Sequence, residues 1–233
     1  MNVLITGGSR GLGLEIVKLF LRNNWSVYNI SRTKPKIAND NFFHLSFDLS
    51  QTGLIKQEVF KDFITNKTPI DSVIHNAAIA YDDIVTNAKL DPLKNMYDVN
   101  VFSPIMINRE AIRNMIFNQT QGSIIFISSI SSTTGYKGLS MYASTKGALE
   151  AHSKNIAREW GSRGIRSNCV VPGFMETDMS KSLKKDQKDR IYKRNSLNKQ
   201  TSIASVAATV YFLASEASNS ITGEKINVDC GTI

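Results

Sequence analysis

Short apolar runs alternate with longer amphipathic segments along the whole chain. The apolar runs, rich in β-branched and aromatic residues, predict strands at 2–6, 26–30, 42–47, 72–75, 123–128, 166–171 and 225–228. Apolar residues at helical spacing predict helices after residue 11 and over 51–66, 92–118, 140–162 and 203–214. This alternation, without internal repeat or linker, predicts one α/β domain over 1–233, with a doubly wound, seven-stranded parallel sheet and helices on both faces.

A glycine-rich turn joins the first predicted strand to the first predicted helix. It consists of Gly7, Gly8, Ser9, Arg10, Gly11, Leu12 and Gly13. Glycines at such a turn let the backbone approach a pyrophosphate, which binds the free amides at the positive end of the helix. Glycine also serves ordinary tight turns, so the strand before and the helix after favour dinucleotide binding more than the loop itself does.

Ser31 and Arg32 follow the second predicted strand, where dinucleotide-binding units carry the residue that contacts the adenosine ribose. The chain has no acidic residue between Glu15 and Asp40, so the carboxylate that would hold the ribose 2'-hydroxyl of NAD is missing. Arg32, together with Arg10, can instead pair with a 2'-phosphate, although both arginines also suit a solvated surface. We therefore expect NADPH or NADP to be preferred over NAD.

The candidate chemistry lies after the fifth predicted strand. Tyr142 and Lys146 are four residues apart in a predicted helix and so share one face. The unperturbed pKa of a phenol is ~10, and we expect Lys146 and a cationic nicotinamide to lower it, so that Tyr142 can protonate a carbonyl as hydride arrives. Ser129 would hydrogen-bond the same carbonyl oxygen. Spacing alone is weak support, since Tyr28 and Arg32 form a similar pair.

Composition and charge indicate which classes of partner and metal site to expect. With 233 residues, of which 42% are hydrophobic, the chain can bury a core of its own, and its two cysteines form no disulfide framework or zinc motif. Residues 181–199 hold eight Lys/Arg and two Asp, and thus +6 of the net charge of +8. No aromatic residues interleave a basic patch, and no signal-like segment or long apolar run occurs. We expect no metal, no nucleic acid, no membrane partner and a cytoplasmic location.

Several separated motifs together resemble the short-chain dehydrogenase/reductase family. They are Thr6-Gly7-x-x-x-Gly11-x-Gly13, Asn76-Ala77, Asn100, Ser129 thirteen positions before Tyr142, Tyr142-x-x-x-Lys146 and Pro172-Gly173. Their order and spacing cover essentially the whole chain. Residues 172–179 and 212–224 are most similar to the 3-oxoacyl-acyl-carrier-protein reductases of this family. The resemblance implies a single NAD(P)-binding Rossmann domain.

The resemblance also implies residue roles. The catalytic tetrad would be Asn100, Ser129, Tyr142 and Lys146, with a water on Asn100 that reprotonates Tyr142 through Lys146; Asn100 also suits a local helix irregularity. The implied cofactor contacts are Gly7, Ser9, Arg10, Gly11, Leu12, Gly13, Ser31, Arg32, Asp48, Leu49, Asn76, Ala77, Ala78, Tyr142, Lys146, Pro172, Gly173, Met175 and Thr177. A mobile lid would cover the substrate around 178–200, and a homo-oligomer, tetramer or dimer, would form through 92–118 and 140–162.

The chain also departs from the family pattern. His75 and Ala78 stand where the family usually has Asn and Gly. Ala78 adds a methyl group close to the expected cofactor, and His75, at a strand end, is expected to pack rather than to act in catalysis. Arg163 matches one of two basic residues that dock an acyl carrier protein, but Thr120 replaces the other. Thr120 thus removes one of the two positive charges that would dock an acyl carrier protein.

These features predict NADPH-dependent reduction of a ketone to a secondary alcohol, with Tyr142 as general acid and a small-molecule carbonyl substrate. A 3-oxoacyl thioester is one candidate, because the basic segment 181–199 suits a thioester- or phosphate-bearing substrate, although a solvated helix face is the commoner reason for such charge. A sugar or secondary-alcohol dehydrogenase would share every catalytic residue. A non-catalytic nucleotide-sensing protein would not need Ser129, Tyr142 and Lys146.

Overall fold

A seven-stranded parallel sheet crosses the molecule. The computed structural model describes residues 1–176 and 185–232, without the side chains of Lys185 and Gln187. The strands are β1 (Asn2–Thr6), β2 (Ser26–Ile30), β3 (Phe42–Leu45), β4 (Ser72–His75), β5 (Ser123–Ile127), β6 (Arg166–Pro172) and β7 (Lys225–Val228). Every neighbouring pair is parallel, in the order β3-β2-β1-β4-β5-β6-β7. The predicted sheet is confirmed, with β3 two residues shorter than the predicted 42–47.

The chain reverses its direction of travel across the sheet between β1 and β4. Thr6, the last residue of β1, lies between Ile30 of β2 and His75 of β4. The connections that leave β1 and β4 therefore run to opposite sides, and a crevice opens beyond the carboxyl ends of these strands. The glycine turn after Thr6 and the segment after His75 border that crevice.

Six α-helices are described. They are α1 (Gly11–Arg22), α2 (Leu90–Tyr97), α3 (Ser103–Phe117), α4 (Ser140–Trp160), α5 (Lys185–Tyr192) and α6 (Ile203–Ala214). The predicted continuous helix over 92–118 is interrupted by a π-helical segment, Asp98–Phe102, and the predicted helix over 51–66 is a 3-10 turn followed by the π-helical segment Ile55–Phe63. α5 lies within the predicted lid; residues 177–184 of that region lie outside the described residues, and its mobility stays a prediction.

Successive residues of each central strand contribute to two different cores. Val3 and Ile5 pack with α1 and α6 on one face of the sheet. Leu4 packs with α3, α4 and the segment Ile55–Phe63 on the other face. All three side chains are at most 1% exposed. Since side chains alternate between the two faces of a strand, a sheet covered on both faces needs nearly continuous apolar strands, which is the pattern seen in the sequence.

The described part of the chain offers neither a membrane span nor a metal centre. The 21-residue helix α4 carries five charged side chains, and no helix of residues 1–176 and 185–232 is long and apolar enough to cross a bilayer. Nor do three or more His, Cys, Asp or Glu converge as a possible metal-ligand set there.

Candidate active site

The turn between β1 and α1 leaves no room for side chains at three of its glycines, Gly7, Gly8 and Gly13. A Cβ atom on Gly13 would lie 2.2 Å from the carbonyl oxygen of Gly7, and one on Gly8 would lie 2.3 Å from Oδ1 of Asn29. Gly7 and Gly11 have φ angles of 74° and 54°, in the left-handed region that favours glycine. A Cβ on Gly11 would have no atom within 4 Å. The turn thus packs tightly on its inner side and is open on its outer side.

The amino end of α1 points into this open space. Arg10 occupies the N-cap position in an extended conformation, its side chain makes no capping hydrogen bond, and the first turn holds no acidic residue. The first amides of a helix have no partner within the helix and carry partial positive charge. An uncapped helix start behind a glycine turn is the geometry that holds a pyrophosphate, so the residues present fit the expected dinucleotide.

Asn29 supports the glycine turn from below, a role that the sequence analysis missed. Its Oδ1 accepts a hydrogen bond from the backbone amide of Gly8 at 2.9 Å, and its Nδ2 donates to Ser31 Oγ at 3.0 Å. Asn29 is fully buried. An asparagine inside strand β2, directly before the apolar Ile30, was the available signal, because a buried amide needs partners.

Hydrogen bonds between the ends of β1 and β4 form the floor of the crevice, and they involve the side chains of Asn76 and Thr6. The Nδ2 of Asn76 donates to the carbonyl oxygens of Thr6 and Gly7 at 3.2 and 3.0 Å. Thr6 Oγ1 accepts from the backbone amides of Asn76 and Ala77, each at 3.1 Å. Ala77 and Ala78, both half-buried, follow directly. The predicted contact residues Gly7 and Asn76 to Ala78 are therefore brought together between β1 and β4, where the chain reverses its direction across the sheet.

The residues after β2 form the expected adenosine end of the crevice. Ser31 is 6% exposed and donates its hydroxyl hydrogen to the carbonyl oxygen of Thr33 at 3.0 Å, so this hydroxyl serves the local fold. Arg32 has an exposed side chain, and its backbone carbonyl accepts from Ser46 Oγ at 3.0 Å. A fixed backbone with an exposed guanidinium suits an anionic ligand.

Asp48 and Leu49 lie next to Arg32 and differ in burial. Asp48 Oδ1 accepts from the backbone amide and the hydroxyl of Ser50, each at 2.9 Å. The backbone hydrogen bond is the main reason that the pKa of Asp48 lies below its usual value, and the charge of Arg32 lowers it further. Leu49 is 7% exposed and belongs to the core. Asp48 is thus a partly exposed turn residue at the predicted adenine position.

Tyr142 and Lys146 lie one turn apart on α4. The Nζ of Lys146 is 5.5 Å from the centre of the Tyr142 ring and donates a 2.7 Å hydrogen bond to the carbonyl oxygen of Ile127, the last residue of β5. Lys146 is 2% exposed. Burial lowers the pKa of Lys146 to about 8, because an ammonium loses hydration in the interior. The predicted pairing of Tyr142 and Lys146 on one helix face is present.

The expected lowering of the Tyr142 pKa is wrong for the chain by itself. Burial raises the pKa of this half-buried phenol above its ordinary value, and the negative charge of Asp82 acts in the same direction. The phenolate would lose hydration at this position, so the neutral phenol is favoured. Tyr142 therefore keeps its proton at neutral pH.

Ser129 extends from the end of β5 toward α4. Its Oγ accepts hydrogen bonds from the backbone amide and the hydroxyl of Ser131, at 3.2 and 3.0 Å. The 3-10 turn that follows, Ile130–Ser132, packs against α4. Ser129 is half-buried, and its own hydroxyl hydrogen can point to a ligand. The serine therefore belongs to the same region as Tyr142 and Lys146.

Asn100 ties the segment after β4 to α4. It lies in the π-helical segment Asp98–Phe102 and is 1% exposed. Its Oδ1 accepts from the amide of Ile79 at 2.9 Å, and its Nδ2 donates to Ile79 O and Thr145 Oγ1 at 2.8 and 3.1 Å. The side chain supports a helix irregularity next to Lys146. Since its amide is engaged with the protein, a water would have to use the backbone carbonyl.

The turn after β6 lies beyond the carboxyl end of that strand, at the same edge of the sheet as the crevice. Pro172 ends the strand, and a Cβ on Gly173 would lie 2.5 Å from Thr201 Oγ1 and 2.7 Å from the Cα of Asp229. Met175 follows, half-buried. The predicted contact Thr177 lies outside the described residues.

His75 is a packing residue, as expected. It is 2% exposed, its ring stacks on Phe126 with centroids 4.8 Å apart, and its Nε2 is 2.7 Å from Oδ1 of Asn108. Burial lowers the pKa of His75 to about 4, so the ring is neutral at physiological pH.

Known proteins match the sequence over its whole length. A family model described as enoyl-(acyl carrier protein) reductase matches residues 7–232. The 3-oxoacyl-[acyl-carrier-protein] reductase of Chlamydia pneumoniae is 34% identical over 239 residues, which cover 99% of this chain and 96% of that protein. The corresponding reductase of Rickettsia felis is 31% identical over 231 residues, covering 99% and 95%.

Solved dehydrogenase structures share the fold. A 4-hydroxyisoleucine dehydrogenase complexed with NADH superposes with a TM-score of 0.94 at 24% identity, covering 99% of this chain and 98% of that one. A gluconate 5-dehydrogenase from Burkholderia cenocepacia, in complex with NADP and tartrate, superposes with a TM-score of 0.92 at 25% identity, covering 99% and 94%. The predicted fold class is confirmed.

Proposed function

The chain belongs to the short-chain dehydrogenase/reductase family of NAD(P)-dependent oxidoreductases, and we propose that it reduces a ketone to a secondary alcohol with NADPH. The observation that carries this proposal is the convergence of Ser129, Tyr142 and Lys146 beside the crevice of the glycine turn. A protein that only bound a nucleotide would need the crevice without that group.

NADPH supplies the hydride when it is bound. The glycine turn and the start of α1 would hold its pyrophosphate, with Ser9 and Leu12 as part of that turn. Asp48 and Leu49 would border the adenine, and Asn76, Ala77 and Ala78 the adenosine ribose. Pro172, Gly173, Met175 and Thr177 would hold the carboxamide, and Lys146 the nicotinamide ribose.

Tyr142 would act as the general acid. As the carbonyl carbon receives hydride, the carbonyl oxygen takes the proton of the Tyr142 hydroxyl, and the products are the alcohol and a tyrosinate. The raised pKa of Tyr142 suits this direction, because the acid must still hold its proton when the substrate arrives. Ser129 would donate a hydrogen bond to the same oxygen and stabilise its developing charge.

Lys146 would stabilise the tyrosinate and return a proton to it. Its hydrogen bond to Ile127 O fixes the ammonium near the Tyr142 ring, and a pKa of about 8 keeps it charged at neutral pH while allowing proton exchange. A water on the backbone carbonyl of Asn100 would resupply the proton.

Arg32 and Arg10 would select NADPH by pairing with its 2'-phosphate. We expect Arg32→Asp to lower the ratio of kcat/KM for NADPH over NADH by about tenfold or more, since a charge-assisted hydrogen bond contributes roughly 1.5–3 kcal/mol. Lys36→Asp makes the same charge change at another exposed position of this segment and should leave the ratio in place. An unaltered ratio in Arg32→Asp would refute this assignment.

A 3-oxoacyl thioester is the substrate we favour, because the full-length relatives act on carrier-bound 3-oxoacyl groups by their names. Arg163 is exposed, as carrier docking requires. A sugar or secondary-alcohol dehydrogenase is the second candidate, favoured by the similarity to gluconate 5-dehydrogenase.

A substrate panel separates these two candidates. Pure protein would be given NADPH with acetoacetyl thioesters, simple ketones and keto-sugars, and NADP with the matching alcohols. We expect the highest kcat/KM for NADPH oxidation with the acetoacetyl thioester. Turnover confined to sugars or sugar alcohols would instead establish the second candidate.

We also propose a homo-oligomer, dimer or tetramer. Its support is an exposed apolar surface on and beside α3, where Phe102, Ile116 and Phe117 are 49%, 40% and 69% exposed. Exposed apolar patches of this kind mark association surfaces.

A further inference from the structure

We propose that Glu150 is a positioning residue of this active site, whose half-buried carboxylate holds the segment carrying Ser129 against the helix carrying Tyr142 and Lys146. The inference rests on the proposed function. Glu150 lies one turn beyond Lys146 on α4, so that Tyr142, Lys146 and Glu150 follow one another along one helix face. Its side chain is 12% exposed.

The carboxylate of Glu150 has three partners from two other parts of the chain. Its Oε1 accepts hydrogen bonds from the hydroxyls of Ser128 and Ser132, at 2.6 and 2.5 Å. Its Oε2 accepts from Nζ of Lys225 on β7, at 2.9 Å. A half-buried carboxylate with three charge-assisted hydrogen bonds is a rigid attachment point.

Ser128 and Ser132 lie on either side of Ser129, which would hydrogen-bond the substrate carbonyl. Ser128 immediately precedes Ser129, and Ser132 closes the 3-10 turn that follows it. Glu150 therefore accepts hydrogen bonds from both ends of the segment 128–132. Because Tyr142 is on the same helix as Glu150, these hydrogen bonds fix where the Ser129 hydroxyl lies relative to the Tyr142 hydroxyl.

The hydrogen bond from the Ser132 hydroxyl to Glu150 depends on the negative charge of the carboxylate. The hydroxyl has one hydrogen and two acceptors in reach, the carboxylate of Glu150 and the carbonyl oxygen of Ser129, the latter at 2.7 Å. An ionised carboxylate is the stronger acceptor. With a neutral side chain at position 150, the Ser132 hydrogen would turn to Ser129 O, and the tie between α4 and the segment would loosen.

Glu150 is ionised at neutral pH. Burial raises its pKa, but hydrogen bonds from Ser128, Ser132 and Lys225 and the charge of Lys225 lower it further, so that the pKa lies below its usual value. The ionised carboxylate in turn favours the ammonium form of Lys146, which burial opposes.

Among the described groups around Lys146, Cys169 and Glu150 act to raise its pKa, Cys169 more strongly, but of the two it is Glu150 that is ionised at neutral pH. The other titratable groups there are Tyr142 on α4, His75 on β4 and, beyond Glu150, Lys225 on β7. Burial raises the pKa of Tyr142, raises that of Cys169 to about 12 and lowers that of His75 to about 4, so all three are neutral.

Glu150→Gln tests the proposal, because it keeps the size of the side chain and removes its charge. We expect kcat for the ketone to fall about tenfold, while the Kd for NADPH stays unchanged. The alkaline limb of kcat against pH should move to lower pH, since loss of an opposite charge nearby lowers the pKa of Lys146 from about 8.

Matched variants separate positioning from stability. Glu159→Gln makes the same change at an exposed position of α4 and should match the wild type. Ser128→Ala with Ser132→Ala should lower kcat and leave the alkaline limb in place, because the charge remains. Glu150→Asp should return the alkaline limb of kcat to the pH at which it lies in the wild type, because the negative charge is kept. An unshifted limb in Glu150→Gln, whether kcat is unchanged or falls together with the thermal unfolding temperature, would overturn the proposal.

A measurement without turnover keeps this test independent of the proposed function. The ε-carbon resonance of Lys146 in ¹³C-lysine-labelled protein, assigned by its loss in Lys146→Arg, should titrate at lower pH in Glu150→Gln. Equal titration in both proteins would overturn the inference. A wild type that reduces no ketone, together with a shifted titration, would refute the proposed function and leave the role of Glu150 supported.

Discussion

Tyr142→Phe is expected to lower kcat for ketone reduction about 10³-fold, while NADPH still binds with its wild-type Kd. The substitution removes one hydroxyl group, and general acid catalysis contributes about 10²–10⁴-fold to such reactions. Without the phenol, the alkoxide would keep the hydrogen bond from Ser129 but lose the group that gives it a proton, and Lys146 would lose the phenolate that it stabilises. NADPH affinity depends on the glycine turn and the crevice, which lie outside the phenol. Steady-state NADPH oxidation and calorimetric titration measure the two effects.

Tyr211→Phe is the matched control for this variant. Tyr211 lies on α6, packed with Phe20 and Trp25 on the opposite face of the sheet. The same loss of a phenolic hydroxyl there should leave kcat unchanged. Unchanged turnover in Tyr142→Phe would eliminate Tyr142 as the acid.

Gly13→Ala is expected to weaken NADPH binding about a hundredfold. The new methyl group would lie 2.2 Å from the carbonyl oxygen of Gly7 and 2.5 Å from Nδ2 of Asn76. Backbone cannot retreat as a flexible side chain can, so the glycine turn and the start of α1 must move apart. Overpacking of this kind costs roughly 1–3 kcal/mol, and 1.4 kcal/mol is tenfold in Kd. Titration of each protein with NADPH measures the loss.

Gly53→Ala controls for the added methyl group, since a Cβ on Gly53 has no atom within 4 Å. It should bind NADPH as the wild type does. Thermal unfolding of both variants shows whether Gly13→Ala is still folded when binding is measured. A folded Gly13→Ala protein with the wild-type Kd would contradict the assignment of this turn to the pyrophosphate.

The fold was predictable because both faces of the sheet are covered. Strands buried on two sides need uninterrupted apolar runs, and such runs stand out from the sequence. The spacing of apolar residues did not reveal the π-helical segment Asp98–Phe102, because one widened turn hardly changes that spacing. The long helix predicted over 92–118 therefore missed this interruption. The residue type of Asn100 did suggest a helix irregularity at this position, and the structure has one there.

The candidate site was predictable where its geometry is local. Tyr142 and Lys146 share a helix, so their spacing fixed their relation. The direction of the Tyr142 pKa shift was missed, because it depends on burial and on Asp82, which is 60 positions away in the chain. Asn29 was missed for the same reason, since its partner Gly8 is reached only when β2 lies beside β1.

For Glu150, the sequence predicts its position on the helix but not its hydrogen-bond partners. Its place one turn after Lys146 is visible in the sequence. Its partners are not, because Lys225 is 75 residues away and the two serines meet it only through the packing of the turn after β5 on α4.

Deuterium transfer to substrate tests ketone reduction most directly. NADPH labelled with deuterium at the C4 position of the nicotinamide would be incubated with the wild type and the ketone panel, and the products analysed by mass spectrometry and NMR. Hydride transfer predicts a secondary alcohol with one deuterium on the former carbonyl carbon, from one face of the labelled nicotinamide only, and formation of this product about 10³-fold slower with Tyr142→Phe. Tight NADPH binding without a deuterated product from any ketone would contradict it.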